Sequence, residues 1–230
     1  MKLKKVTQTP RPARSRWYDD ACGTALALEL VGERWSLLIV RELMFGGRRF
    51  GELRASLPGI SANILTQRLE GLEASGIVTR RKLPPPASVQ VYELTPWGYE
   101  SETAIQELGR WAVRSHDHDP TLPLSAASIM MSFRTMYSRA AAAGLEASIG
   151  FRMGAESFLA RLDGDGIVIR RADPAGADAT FDTDPMTLAS VVYGGRPIAD
   201  AEAAGALRIT GDRALAERFT TLFPLPAKIG

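Results

Sequence analysis

Few side chains in this 230-residue chain could do covalent chemistry: one thiol, Cys22, and two imidazoles, His116 and His118. Neither Gly46-Gly47 nor Gly194-Gly195 makes a phosphate loop, and no Gly-x-Ser-x-Gly elbow is present. The two His of "HDHDP" have no third protein ligand nearby to complete a zinc site. The sequence therefore predicts no enzyme, no cofactor and no metal. Cys22 is left with two readings: an inert thiol buried at a dimer interface, or a redox or electrophile sensor whose pKa a helix N-terminus lowers. One cysteine excludes an intrachain disulfide.

Recognition chemistry is better supplied, in the stretch "FGELRASLPGISANILTQRLEGLEASG" from Phe50 to Gly76. At 100° per residue, Leu65, Leu69 and Leu72 share one helical face, while Asn63, Thr66, Gln67 and Glu70 point the other way. Ser61 opens this helix. Asn and Gln can each pair bidentately with adenine in a major groove, which suits a polar but almost uncharged face. Cations flank it: Arg48 and Arg49 before the preceding helix, Arg68 on its flank, and Arg80, Arg81 and Lys82 beyond it. These are the expected phosphate partners. A solvated helix packed on two others is the plainer alternative.

Three helices must position that face. Apolar residues recur helically at Leu26, Leu30 and Val31 and again at Trp35, Leu38, Ile39 and Leu43, with Gly32 marking the break and Gly46-Gly47 the end. Phe50, Leu53 and Leu57 make a short third helix closed by Pro58-Gly59, and the fourth runs from about Ser61 to Ser75. "IVTRRKLPPPASVQVYEL" then reads as strand, Pro-rich hairpin loop and strand, and Thr95-Pro96 opens a helix to about Ser115. Helix, glycine turn, helix and basic hairpin is the order of a winged helix-turn-helix.

The run from Cys22 through "LVGERWSLLIVRELMFGGRRFGELRASLPGISANILTQRLEGLEASGIVTRRKLPPPASVQVYELTPWGYE" resembles the HxlR family of bacterial winged helix-turn-helix transcription regulators over about 95 residues. The matching points are Cys22, Gly32, Trp35, the Leu-Leu-Ile-Val-Arg-Glu-Leu run, Arg49-Phe50, Leu57 to Ser61, Leu65 to Leu69, Gly76 and Leu94-Thr95. The resemblance implies a homodimer formed through the first helix and the helix after the wing, bound to a pseudo-palindromic double-stranded DNA operator. It also permits the sensor reading of Cys22. The chain departs from the family in length, because typical members end soon after that helix.

"HDHDPTLP" is the expected linker, and the sequence beyond it changes character. A helix near Ser125 to Ala143 precedes strands in "EASIGFRMG", "ESFLARLDGDGIVIRRAD" and "ADATFDTD", with a hairpin at Asp163 to Gly166. Asp184-Pro185 caps a helix ending at Gly194-Gly195, "GALRIT" is a strand, and Asp212 opens a last helix through Phe219. From Ala177 to Phe223 this half resembles the back of sterol-carrier-type domains, which implies an apolar tunnel for a small apolar ligand, or simply an extra dimerisation module. The fold class expected is thus a mostly α winged helix-turn-helix followed by an α+β sterol-carrier-like domain.

The expected boundaries are a basic disordered arm over 1–16, the DNA-binding and dimerisation domain over 17–115, the linker over 116–123, and the ligand-sensing or oligomerisation domain over 124–230. The arm holds six Lys or Arg and no acid, as a solubilising tail or a phosphate-contacting arm would. Residues through Asp117 carry a net +4 and the remainder −2, so the basic excess falls on the DNA-binding part. No stretch is long and apolar enough for a signal peptide or membrane span, which predicts a cytoplasmic protein without a membrane partner. A carrier of apolar ligands that also binds DNA is the remaining alternative.

Overall fold

The computed structural model describes residues 18–84 and 89–230. The expected arm over 1–16 and the tip of the Pro-rich hairpin lie outside the described residues.

Helix α1 (Gly23–Val31) is capped by Cys22 at its start and Gly32 at its end, and α2 (Ser36–Leu43) follows. Gly32 stays right-handed, whereas Trp35 takes φ 82°, so the change of direction between the helices is made at Trp35. A bulky residue is strained there. Its indole packs against the core, and that contact holds the conformation. Helices α3 (Phe50–Ser56) and α4 (Ala62–Ala74) meet across the Pro58-Gly59 turn, where Gly59 takes φ 90°. A residue with a Cβ would be strained at that point. Strands β1 (Val78–Lys82) and β2 (Gln90–Leu94) form the antiparallel wing. The expected helix after it is α5 (Pro96–Glu100) and α6 (Glu102–Ala112), divided only at Ser101, which remains right-handed.

In the second half the helix expected over 125–143 is two: α7 (Ala126–Met136) and α8 (Arg139–Ala142). Tyr137 turns extended between them, and the Ser138 amide donates to the Leu222 carbonyl at 2.8 Å instead of continuing the helix. Five strands follow: β3 (Ala147–Met153), β4 (Glu156–Asp163), β5 (Gly166–Arg171), β6 (Ala179–Thr183) and, after α9 (Pro185–Val192) and α10 (Ile198–Ala203), β7 (Leu207–Gly211). Helix α11 (Arg213–Thr220) ends the order. The sheet runs β5-β4-β3-β6-β7, antiparallel except where β3 and β6 run parallel with Phe151 beside Phe181. Helix α10 was not anticipated: "IADAEA" is too short to show a helical period.

Alternation along the strands puts Ile149, Phe151, Met153, Phe158, Ala160 and Leu162 on one buried face. Aromatic rings pack between the sheet, α7 and the C-terminal residues. Phe133 of α7 stacks on Phe223 at 4.4 Å and meets Phe219 edge-on at 5.5 Å, while Phe219 lies 5.6 Å from Phe151 and 5.9 Å from Phe181.

The buried side chains of both halves form one contiguous cluster. Residues 116–123 are not a free tether either, because the C-terminal residues fold back onto the end of α6. The Ile229 amide donates to the Arg114 carbonyl at 2.9 Å, and the Lys228 ammonium donates to the carbonyls of Val113 and Ser115. A cation on the last carbonyls of a helix opposes its negative end. His116 Nε2 also bonds the Ile229 carbonyl oxygen at 2.7 Å.

Candidate nucleic-acid interface

Helix α4 buries Leu65, Leu69 and Leu72 and leaves Asn63, Thr66, Gln67 and Glu70 exposed, as the spacing predicts. Ser61 acts first as a cap. Its hydroxyl accepts from the Ile64 amide at 3.2 Å and satisfies one of the open donors of the first turn. Arg68 is fastened to the link between α1 and α2, donating to the Arg34 carbonyl at 3.1 Å and pairing with Glu33 at 2.6 Å. These bonds fix the angle at which α4 stands.

The wing places Arg80, Arg81 and Lys82 on an exposed strand. Arg80 is bound to Glu73 of α4, with Nε at 2.7 Å, and this hydrogen bond holds the Glu73 carboxyl below the usual carboxylate range. Arg81 is bidentate to Glu93 across the hairpin, both bonds 2.8 Å. Exposed pairs of this kind are worth little. Lys82 is exposed and forms no ion pair among the described residues. Arg49 stands at the N-cap of α3, its amide donating to Glu52 at 2.8 Å, while its guanidinium stays open to solvent 4.0 Å from the same carboxylate. Arg54, on the exposed side of α3, is a further cation that the sequence reading passed over.

Arg48 departs from expectation. Its side chain is only 7% exposed, and its guanidinium donates to Glu156 at 2.6 and 3.2 Å and to the Ser56 hydroxyl at 3.2 Å. It is not placed to meet a phosphate. Its backbone exchanges two 2.8 Å hydrogen bonds with Tyr92, so one residue joins the base of the wing to the second half. Arg171 completes the cluster by donating to Glu156 at 2.8 Å and to the Phe45 carbonyl at 3.3 Å. Burial pushes the Glu156 carboxyl up, but hydrogen bonds from Arg48 and Arg171 more than reverse this and leave it below its ordinary value.

A second link runs through Glu42, fully buried on α2, which accepts from Ser125, the cap of α7, at 2.6 Å. A carboxylate between Ile39 and Leu43 on an apolar face was a legible sign of a buried partner. Nothing near Glu156 in the sequence pointed to Arg48, 108 residues away.

Cys22 caps α1, its Sγ accepting from the Thr24 amide at 3.4 Å, and it is exposed. That amide holds the thiol below its ordinary pKa. No group of three or more metal-ligating side chains occurs among the described residues. Among them, too, no helix is long and apolar enough to cross a membrane.

Comparison with known proteins bears on this part of the chain. The model of the HxlR-like helix-turn-helix family matches residues 30–120. The HTH-type transcriptional regulator YodB of Bacillus subtilis (strain 168) is 40% identical over 86 residues, covering 37% of this chain and 77% of that protein. YvaP of the same organism, named as an uncharacterized HTH-type transcriptional regulator, is 36% identical over 86 residues, 37% of this chain and 80% of its own. The solved reduced form of YodB is 37% identical, with a TM-score of 0.38 over 40% of this chain and 92% of that one. At the sequence identity shared with YodB and YvaP, over 77% and 80% of their lengths, the chain belongs to the HxlR-like helix-turn-helix family.

Proposed function

We propose that the chain is a transcription regulator that binds double-stranded DNA through α4 and the wing, as a homodimer on a pseudo-palindromic operator. The observation that carries this is the exposed strip of Asn63, Thr66 and Gln67, uncharged and able to hydrogen-bond, on a helix fixed by the Ser61 cap and the Arg68 bonds. Arg49, Arg80, Arg81 and Lys82 surround it as phosphate partners. What supports a dimer is α6, which buries none of its residues and leaves Leu108 50% and Trp111 72% exposed. With the exposed Leu26 and Leu28 of α1, these form apolar surface that a second copy would cover. Residues 17–115 then make the DNA-binding and dimerisation region, and 124–230 a ligand-sensing or oligomerisation region. Its likeness to sterol-carrier-type domains rests on the order β6-α9-α10-β7-α11.

Selection of an operator from random duplexes, followed by titration of Gln67→Ala, tests the reading. Specific affinity should fall by about 1–3 kcal/mol with nonspecific affinity nearly unchanged, as for loss of one bidentate base contact. Equal loss on operator and random DNA would take base reading away from Gln67.

A second reading is favoured by Cys22, an exposed thiol with lowered pKa at a helix start. YodB also has a solved structure described as its quinone-bound form, 36% identical to this chain, with a TM-score of 0.34 over 39% of this chain and 93% of that one. If Cys22 senses electrophiles or oxidants, diamide should release the wild-type protein from operator and leave Cys22→Ser bound. Matching release curves would mean the thiol is a bystander.

A further inference from the structure

Two grooves open on the seam between the halves. One, of about 740 Å³, is bordered by Arg48, Glu52, Glu156 and Arg171, whose charges answer one another. The other, of about 900 Å³, lies between the loop after α2, helices α5 and α6, and the α7, α8 and β5 elements of the second half. This is the size of a small-molecule site, and such sites favour seams of this kind.

The larger groove is unbalanced in charge. Arg110, Arg134, Arg139, Arg170 and Arg171 line it. Along β5, Arg170 alternates with Ile169 and Arg171 and is exposed, so it borders the groove from its outer side, and the other four guanidiniums stand against the carboxylates of Glu102 and Asp165. Two of the four are committed: Arg134 donates to Glu102 at 2.7 Å and lies 4.3 Å from the Phe45 ring, and Arg171 holds Glu156. Arg139 donates only to the Asp165 carbonyl and forms no ion pair among the described residues. Among the described residues, Arg110 reaches only Glu107 on its own helix, at 3.4 Å with both side chains largely in water. Tyr99 and Tyr137 complete the walls, and burial raises both phenols, so each remains a neutral ring with a proton to donate.

We propose that this groove binds a small aromatic carboxylate, its anionic end drawn to Arg110 and Arg139 and its ring set against Tyr99 and Tyr137. One negative charge fits two uncommitted cations; a polyphosphate would meet Glu102 and Asp165. A purely apolar ligand would leave both arginines desolvated without a partner. The walls come from both halves and include α5 and α6, so occupancy changes how the halves sit only if the ligand prefers one arrangement. That regulatory consequence rests on the proposed DNA-binding function, whereas the site itself does not.

The test is calorimetric titration of the full chain with 2-naphthoate, its neutral amide and hexanoate, with operator affinity measured in parallel. Naphthoate should bind at least about tenfold more tightly than either analogue. The Arg110→Ala/Arg139→Ala variant should lose that advantage with an unchanged thermal midpoint; if the pair is poorly folded, Arg110→Gln alone should lose part of it. Equal affinities for naphthoate and its amide, no binding at millimolar naphthoate, or unchanged binding by the variants overturns the site. Naphthoate binding without operator binding rejects the regulator reading and leaves the site standing, and the converse rejects the site alone.

Discussion

Glu156→Ala should lower the unfolding free energy by about 3 kcal/mol, the lower end of the range for removing one partner from a buried ion pair. For a chain of this length that corresponds to a fall of roughly 6–12 °C in thermal midpoint. The effect comes from what is left behind. Without Glu156, the nearly buried Arg48 keeps the 3.6 Å ion pair to the exposed Glu52 and faces the partly buried Arg171 as a like charge, and the Nε atoms of both lack a hydrogen-bond partner among the described residues. Glu156→Gln keeps the shape and one acceptor and should lose less.

The pH dependence has a definite sign. Glu156 is held below its ordinary pKa in the folded chain, so its stabilisation is complete above the unfolded value, about 4.3, and is lost as pH falls through the lower folded value. Urea unfolding at neutral pH and at successively lower pH should show wild type and Glu156→Gln converging in acid. A loss below about 1 kcal/mol for Glu156→Ala would place the cluster among exposed pairs, solvated in solution.

Much of the first half was legible because its signals are local. Leu65, Leu69 and Leu72 repeat at helical spacing, Pro58-Gly59 supplies the turn, and Ser61 and Thr95 cap the helices that follow them. Each depends on residues within four positions of itself. The strands of the second half were legible for the same reason, from their alternation and from Asp163 to Gly166. The seam was not. Arg48 reads as one of two adjacent arginines before a helix, and only folding brings Glu156 to it while leaving Arg49 in water. Arg134 likewise looks like a solvated residue on α7 until Glu102, the Ile169 carbonyl and the Phe45 ring close around it. A charged side chain's role is set by partners far away in sequence, and no period of 2 or 3.6 carries that information.

The second large effect concerns whether the second half is hollow. Phe133→Ala should destabilise the chain by about 3–5 kcal/mol, the range for truncating a fully enclosed aromatic. Phe133 is 0% exposed and its ring touches Phe151, Tyr193, Phe219 and Phe223, so its removal opens a cavity that rigid neighbours cannot close. Had the sheet and helices enclosed a tunnel here, the ring would already border open space, and truncation would lose mainly its transfer term, about 2 kcal/mol. Denaturant unfolding of Phe133→Ala against wild type separates the two, and Phe133→Leu, which retains most of the volume, should recover more than half of the loss if packing is the cause. A small loss for Phe133→Ala with saturable uptake of naphthalene by the wild type would restore the apolar tunnel. A large loss, with uptake only by the variant, would put ligand binding outside the core of this half and leave the seam as its place.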